Sequence, residues 1–319
     1  MIMSSVERTV PAAALASALS ETAGAIETLL EALLQDKPEA GEVYRPARLL
    51  AAMRHGALAG GKRLRPFLVV ETAKLFGVPV GQALRAGAAV ELAHCYSLVH
   101  DDLPAMDDDD TRRGRPTVHK AYDEATAILA GDGLLTLAFD VIADPNTHPD
   151  GQTRAAVILQ LARSLGPGGM VGGQMLDLAA EGRFAADGAL ARLSEAEIRR
   201  MQAMKTGALL AGSVLIGARL GQADASQTAA LERYGKALGA AFQVADDILD
   251  VEASPEQMGK ATAKDDAKGK ATLVTALGLD AAKRERDRLS EEAIAALAGF
   301  GPEAAMLRAA AEFTAQRRN

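Results

Sequence analysis

The chain has 319 residues, 49% of them apolar and 24% charged, a globular balance that excludes a disordered or collagen-like protein. With 35 basic residues against 42 acidic ones the formal net charge is −7, which excludes a general nucleic-acid binder and leaves any anionic ligand to local basic side chains or metal ions. The one cysteine, Cys95, excludes an internal disulfide and a cysteine-rich zinc site, and it fits a reducing, cytoplasmic setting.

In chain order, residues 1–20 read as a flexible tail. The Ala-rich stretch 10–19 lacks the basic start of a signal peptide, because Glu7 cancels Arg8. Residues 23–34 follow with Ile26, Leu29, Leu30 and Leu33 at helical spacing, and Pro38 lies just beyond. Further helices are predicted over 66–75, 81–102, 121–143, 154–165, 196–220, 226–251 and 272–298. Strand-favouring aromatics are only 3% of the chain, with no Trp, so the fold reads as all-α. No fixed-period repeat, low-complexity linker or apolar run long enough to span a membrane interrupts it, so residues 21–319 read as a single domain, one large helical bundle.

Between the third and fourth of these helices lies HDDLPAMDDDDTRRG, residues 100–114, with six aspartates in ten residues. A second acidic group, DDILD, carries Asp246, Asp247 and Asp250; with Gln243 these recur at three-, four- and seven-residue steps and share one side of a helix. In the first group Pro104 breaks the helix, so that the chain curls back and brings Asp107 toward Asp101. Two carboxylates about 5 Å apart repel by roughly 3 kcal/mol at an effective dielectric near 20, so such a cluster calls for divalent cations. All-oxygen donors favour Mg²⁺ over zinc. An EF-hand is excluded: counted from Asp109, Arg113 occupies a ligand position and Lys120 replaces the closing Glu.

Basic residues sit close by. GGKRLRP, residues 60–66, sets Lys62, Arg63 and Arg65 beside two glycines that admit an anion to the backbone. Arg112 and Arg113 follow the first acidic cluster, His94 is in helical phase with Asp101, Lys205 opens a KTG motif, and Lys260 lies beyond DDILD. Two cationic sets and two acidic sets suit two polyanionic substrates.

Together GGKRLRP, HCYSLVHDDLPAMDDDDTRRGRPTVHK, GGQMLDL, KTGALL and FQVADDILD closely resemble the trans-isoprenyl diphosphate synthases, and among them the bacterial farnesyl diphosphate-forming members, over residues 20 to 319. The resemblance implies the isoprenoid synthase fold around a central deep cavity, two substrates (isopentenyl diphosphate and an allylic diphosphate), and a homodimer. It assigns Asp101, Asp102, Asp107, Asp246, Asp247 and Asp250 to Mg²⁺, three ions in all, and Arg112, Lys205 and Lys260 to the allylic diphosphate. Lys62, Arg65, His94 and Arg113 match ligands of isopentenyl diphosphate, Thr206 and Gln243 flank the allylic cation, and Gln174 and Asp177 are a further pair facing the site. The implied chemistry is ionisation, condensation and elimination, with the released diphosphate taking the last proton.

Chain length is read at Tyr96 and Ser97. Tyr96 lies five residues before Asp101, about 7.5 Å along a helix, and in such enzymes an aromatic there stops the product at fifteen carbons. Ser97 lies on the face of Asp101 itself. Geranyl and geranylgeranyl products stay open, as do a terpene cyclase, a metal phosphohydrolase built on His100 and Asp101, and a non-catalytic regulatory subunit. The KATLV segment, 270–274, departs from the common pattern after Thr272, where relatives often carry Tyr-Pro, which leaves the role of Lys270 open, and Arg317 or Arg318 in the C-terminal QRRN could close over a diphosphate.

Overall fold

A computed structural model describes residues 10–252 and 272–316. Their contacts group into two compact units, one made of Ala16–Leu159 with Arg219–Gln222 and the other of the described parts of Met1–Leu15, Gln160–Ala218 and Ala223–Asn319.

The first helix, α1 (Ala12–Leu33), begins well before residue 23. The tail reading of residues 1–20 is therefore too long, because alanine is the best helix former and Pro11 accepts the first turn's N–H groups from Ala14 and Leu15. In the Ala16–Leu159 unit, α2 (Ala47–Ala57) and α3 (Leu64–Lys74) lead to α4 (Val80–Asp101), which is buried on nearly every side. A helix apolar all round belongs inside, and α4 is packed by α2, α3 and α6 (Glu124–Ala143). Asp123 caps α6 by accepting the Thr126 N–H at 2.7 Å. Between them, β1 (Thr111–Arg112) and β2 (Arg115–Pro116) form a tight antiparallel hairpin, and α5 (Val118–Ala121) adds one turn. Arg113 and Gly114 both have positive φ, 52° and 73°, the combination a two-residue hairpin turn requires. The unit ends within α7 (Gly151–Leu165).

In the other unit, α8 (Met170–Ala180) precedes α9 (Glu195–Gln202), which starts at a Ser194–Glu197 capping box. A π-helical turn, Ala203–Gly207, joins α9 to α10 (Ala208–Leu220). The spine is α11 (Ala225–Glu252), whose Val244 and Ile248 pack with Ile198, Leu273 and Leu289. The helix expected over 272–298 divides at Gly278, where φ is 81°, into α12 (Leu273–Leu277) and α13 (Leu279–Ala296). On α14 (Ala305–Gln316) the Leu307 carbonyl accepts the buried Tyr234 hydroxyl at 2.7 Å. Two helical stretches, Glu124–Ala143 and Glu195–Leu220, are long and apolar enough to cross a membrane, and 44% and 61% of their most apolar windows are buried in the protein.

Candidate active site

Asp101 ends α4, and the chain then folds back as Pro104 dictates: the Asp107 N–H donates to the Asp101 carbonyl at 2.8 Å, and the Asp109 N–H to the Asp102 carbonyl at 3.2 Å. The carboxylates do not act alike. Asp102 is 3% exposed, and one of its oxygens accepts both Nε (2.7 Å) and Nη2 (2.6 Å) of Arg112. Burial raises its pKa despite that pairing. Asp101 and Asp107 are partly open. His100 donates through Nε2 to the Ile128 carbonyl at 3.0 Å, which spends the ring on the protein's own backbone rather than on a hydrolase metal pair.

The hairpin aims the two arginines. Arg112 turns in to Asp102, while Arg113 donates to the Gly60 carbonyl and covers Gly61, where a β-carbon would come within 2.6 Å of its guanidinium. Glycine is required at Gly61 twice over, since its φ is 129°. Lys62 is exposed, Arg63 is buried and Arg65 is half-buried with Nη1 donating to Nε2 of His94 at 3.4 Å. Burial, reinforced by Arg65, Arg113, Arg112 and Arg63, holds His94 well below the usual histidine range, so the ring is neutral and accepts. Lys62, Arg65, His94 and Arg113 thus come from the segments that these contacts tie together.

Tyr96 is 7% exposed and meets the His100 ring edge-on at 5.5 Å. Burial, then the nearby Asp101, raise the pKa of its hydroxyl. The Ser97 hydroxyl donates back to the His94 carbonyl at 2.8 Å and belongs to its own helix. Cys95 is inert: burial pushes its thiol up to about 12.

In the other unit Lys205 and Thr206 lie in the π turn, a helical irregularity common at functional positions. Lys205 Nζ donates to Asp177 at 2.5 Å. Gly173 of α8 abuts the same turn, and a β-carbon there would fall 2.1 Å from the Lys205 backbone nitrogen. Gln174 is buried beside it in sequence. In DDILD, Asp247 is 3% exposed and accepts the Gln202 amide (2.8 Å), the Leu273 N–H (2.9 Å) and the Gln243 amide (3.3 Å). Burial raises its pKa against these donors. Asp246 is partly open and Asp250 exposed, one helical turn apart. Each acidic motif therefore divides by burial: the second residue of the Asp-Asp pair, Asp102 or Asp247, is buried and accepts protein donors, and its motif neighbours are more exposed. Lys260, Lys270, Arg317 and Arg318 lie outside the described residues.

Among the described residues no three His, Cys, Asp or Glu side chains converge as a complete metal cage. The aspartates of each motif are hard oxygen donors, the type that suits an ion such as Mg²⁺ that keeps water and phosphate oxygens as most of its ligands. The burial of Arg63, the hairpin, the π turn and the protein contacts of Asp247 escaped the sequence reading; the Arg-Gly pair at 113–114 was the one available signal, for the hairpin.

The polyprenyl synthetase family model matches residues 46–300. The chain is 44% identical over 280 residues to the farnesyl diphosphate synthase of Escherichia coli K12, covering 86% of this chain and 91% of that one. It is 42% identical over 278 residues to a chloroplastic geranylgeranyl pyrophosphate synthase of Catharanthus roseus, covering 87% and 76%. An FPP/GFPP synthase structure from Zymomonas mobilis superposes with a TM-score of 0.82 at 40% identity, covering 94% of this chain and 98% of that one. The chain belongs to the polyprenyl synthetase family. It is a trans-prenyltransferase with the all-α isoprenoid synthase fold, of a family that acts on prenyl diphosphates and uses Mg²⁺.

Proposed function

We propose that the chain joins isopentenyl diphosphate head-to-tail to dimethylallyl and then geranyl diphosphate and releases farnesyl diphosphate. The observation that carries the fifteen-carbon product is Tyr96, buried on α4 five residues before Asp101 and set edge-on against His100. A bulky ring there limits the room for a growing apolar chain.

Lys62, Arg65, Arg113 and neutral His94 hold isopentenyl diphosphate, whose charge needs the donors these residues supply. Arg112, Lys205 and Lys260 hold the allylic diphosphate. As its C1–O bond breaks, the electron pair leaves with the diphosphate, and fixed cations stabilise that charge more than they stabilise the ground state. Mg²⁺, with three ions held by Asp101, Asp102, Asp107, Asp246, Asp247 and Asp250, would neutralise the leaving group further. Thr206 and Gln243 border the allylic cation. The isopentenyl double bond supplies the electrons of the new C–C bond, and the proton lost in forming the product's double bond passes to the released diphosphate. Water has to be kept out, since it would capture the cation.

The enzyme acts in the cytoplasm as a homodimer; the single buried cysteine supports the first, and the exposed Ile128 and Leu129 on α6 support the second. The test is incubation with isopentenyl and dimethylallyl diphosphates, with and without Mg²⁺, with products read by mass. A Mg²⁺-dependent fifteen-carbon diphosphate is expected, and Tyr96→Ala shifts the main product to twenty carbons or more. A wild-type twenty-carbon product moves the chain-length stop away from Tyr96.

A further inference from the structure

Of the three cations in GGKRLRP, the middle one points inward. Arg63 is 4% exposed and sits with φ 46°, a left-handed conformation that L-residues with a β-carbon rarely adopt. That twist, immediately before α3, sends its side chain into the protein while the adjacent Lys62 stays exposed. The guanidinium is then spent on three elements. Nη1 donates to Glu91 of α4 at 2.6 Å, and Nη2 donates to Glu27 of α1 at 2.8 Å and to the carbonyl of Ala57, the last residue of α2, at 2.7 Å. Nη1 also lies 4.0 Å from Cys95 Sγ. Burial works against the charge, and Glu91 and Glu27 more than restore it, so Arg63 stays protonated.

The placement of these bonds gives them a purpose beyond packing. Glu91 is three residues before His94, one turn down the same helix, and Arg65, which bonds His94, is two residues after Arg63. Arg63–Glu91 and Arg65–His94 are thus two successive rungs between the loop and α4, the first buried and charge-paired, the second facing the ligand residues. We propose that Arg63 is a positioning residue for isopentenyl diphosphate: held by Glu91, Glu27 and the Ala57 carbonyl, it fixes the loop against α4 so that Lys62, Arg65 and His94 present one preorganised anion site. This rests on the reading that those three residues hold that substrate.

The test is steady-state kinetics on Arg63→Lys and Glu91→Gln, with the KM for isopentenyl diphosphate measured separately from the KM for geranyl diphosphate. Lysine keeps the charge but cannot make the forked bonds, and glutamine keeps the shape of Glu91 without its charge. Each raises the KM for isopentenyl diphosphate by about tenfold or more, as sub-ångström misplacement of a binding group does, and leaves the KM for geranyl diphosphate within about twofold. Glu27→Gln, at the more exposed end of the network, gives a smaller shift of the same kind and serves if the other two fold poorly. A lowered melting temperature with both KM values unchanged, or an equal rise in both, overturns the proposal. Lys62→Ala separates the levels: if it raises the isopentenyl diphosphate KM while the Arg63 and Glu91 variants do not, only the positioning role fails, and if Lys62→Ala itself has no effect, the assignment of the substrate site fails.

Discussion

At the scale of single residues, the division within each acidic motif makes a measurable distinction. Asp247 accepts three protein donors in a buried setting, so Asp247→Ala strands the Gln202 amide and the Leu273 N–H and costs about 2 to 4 kcal/mol of stability. Asp246→Ala and Asp250→Ala lower kcat at saturating Mg²⁺ by about 100-fold or more. Thermal denaturation beside steady-state rates checks both. The sequence made all six aspartates look equal because helical phase groups side chains by face and cannot say which member of a face is buried. His94 has its own signature. Its folded pKa lies below the unfolded value near 6.5, so the unfolded chain takes up the proton first and acid favours unfolding. Between pH 7.5 and 5.5 the wild type should lose on the order of 1 kcal/mol more stability than His94→Gln, read from urea midpoints at the two pH values.

At the scale of elements, periodicity recovered the long helices, and α4, α6 and α11 start within three residues of where the apolar pattern puts them. It passed over α2, and it passed over α8 and α14 for identifiable reasons. Gly172 and Gly173 dilute the helical preference of α8, and α14 buries alanines, a weak signal of an inward face. The π turn has no compositional mark, since it is one extra residue in a helix that is otherwise continuous. What places it is the backbone contact at Gly173, an interaction across 32 positions of sequence from Gly173 to Lys205. Gly173→Ala therefore pushes α8 from the turn that carries Lys205 and Thr206. The expected result is a kcat lowered by about tenfold or more with helix content by circular dichroism unchanged. Unchanged kinetics would show that the close packing is dispensable for the turn.

At the scale of the whole molecule, the motif order along 319 residues was enough to reach the family, because each chemical role is carried by a short segment whose residue types phosphate and metal chemistry restrict. Association is less legible, since a partner's surface leaves only an excess of exposed apolar side chains. Such an excess is present on α6, where Leu129 is 58% exposed and Ile128 45%, with Tyr44 also exposed beside a cavity of about 500 Å³ lined in part by Leu33, Leu49 and Leu137. A helix with this much apolar surface outward and 44% of its most apolar window buried is half-satisfied as a core helix, and in the proposed homodimer a second copy of the chain would cover the outward side. Leu129→Glu places a charge on that side without touching the acidic motifs or the cationic loop. Light scattering behind size exclusion should give twice the 33.2 kDa chain mass for the wild type and a concentration-dependent fall toward one chain mass for the variant. A variant that keeps the wild-type mass at micromolar concentration places the dimer contact on another surface.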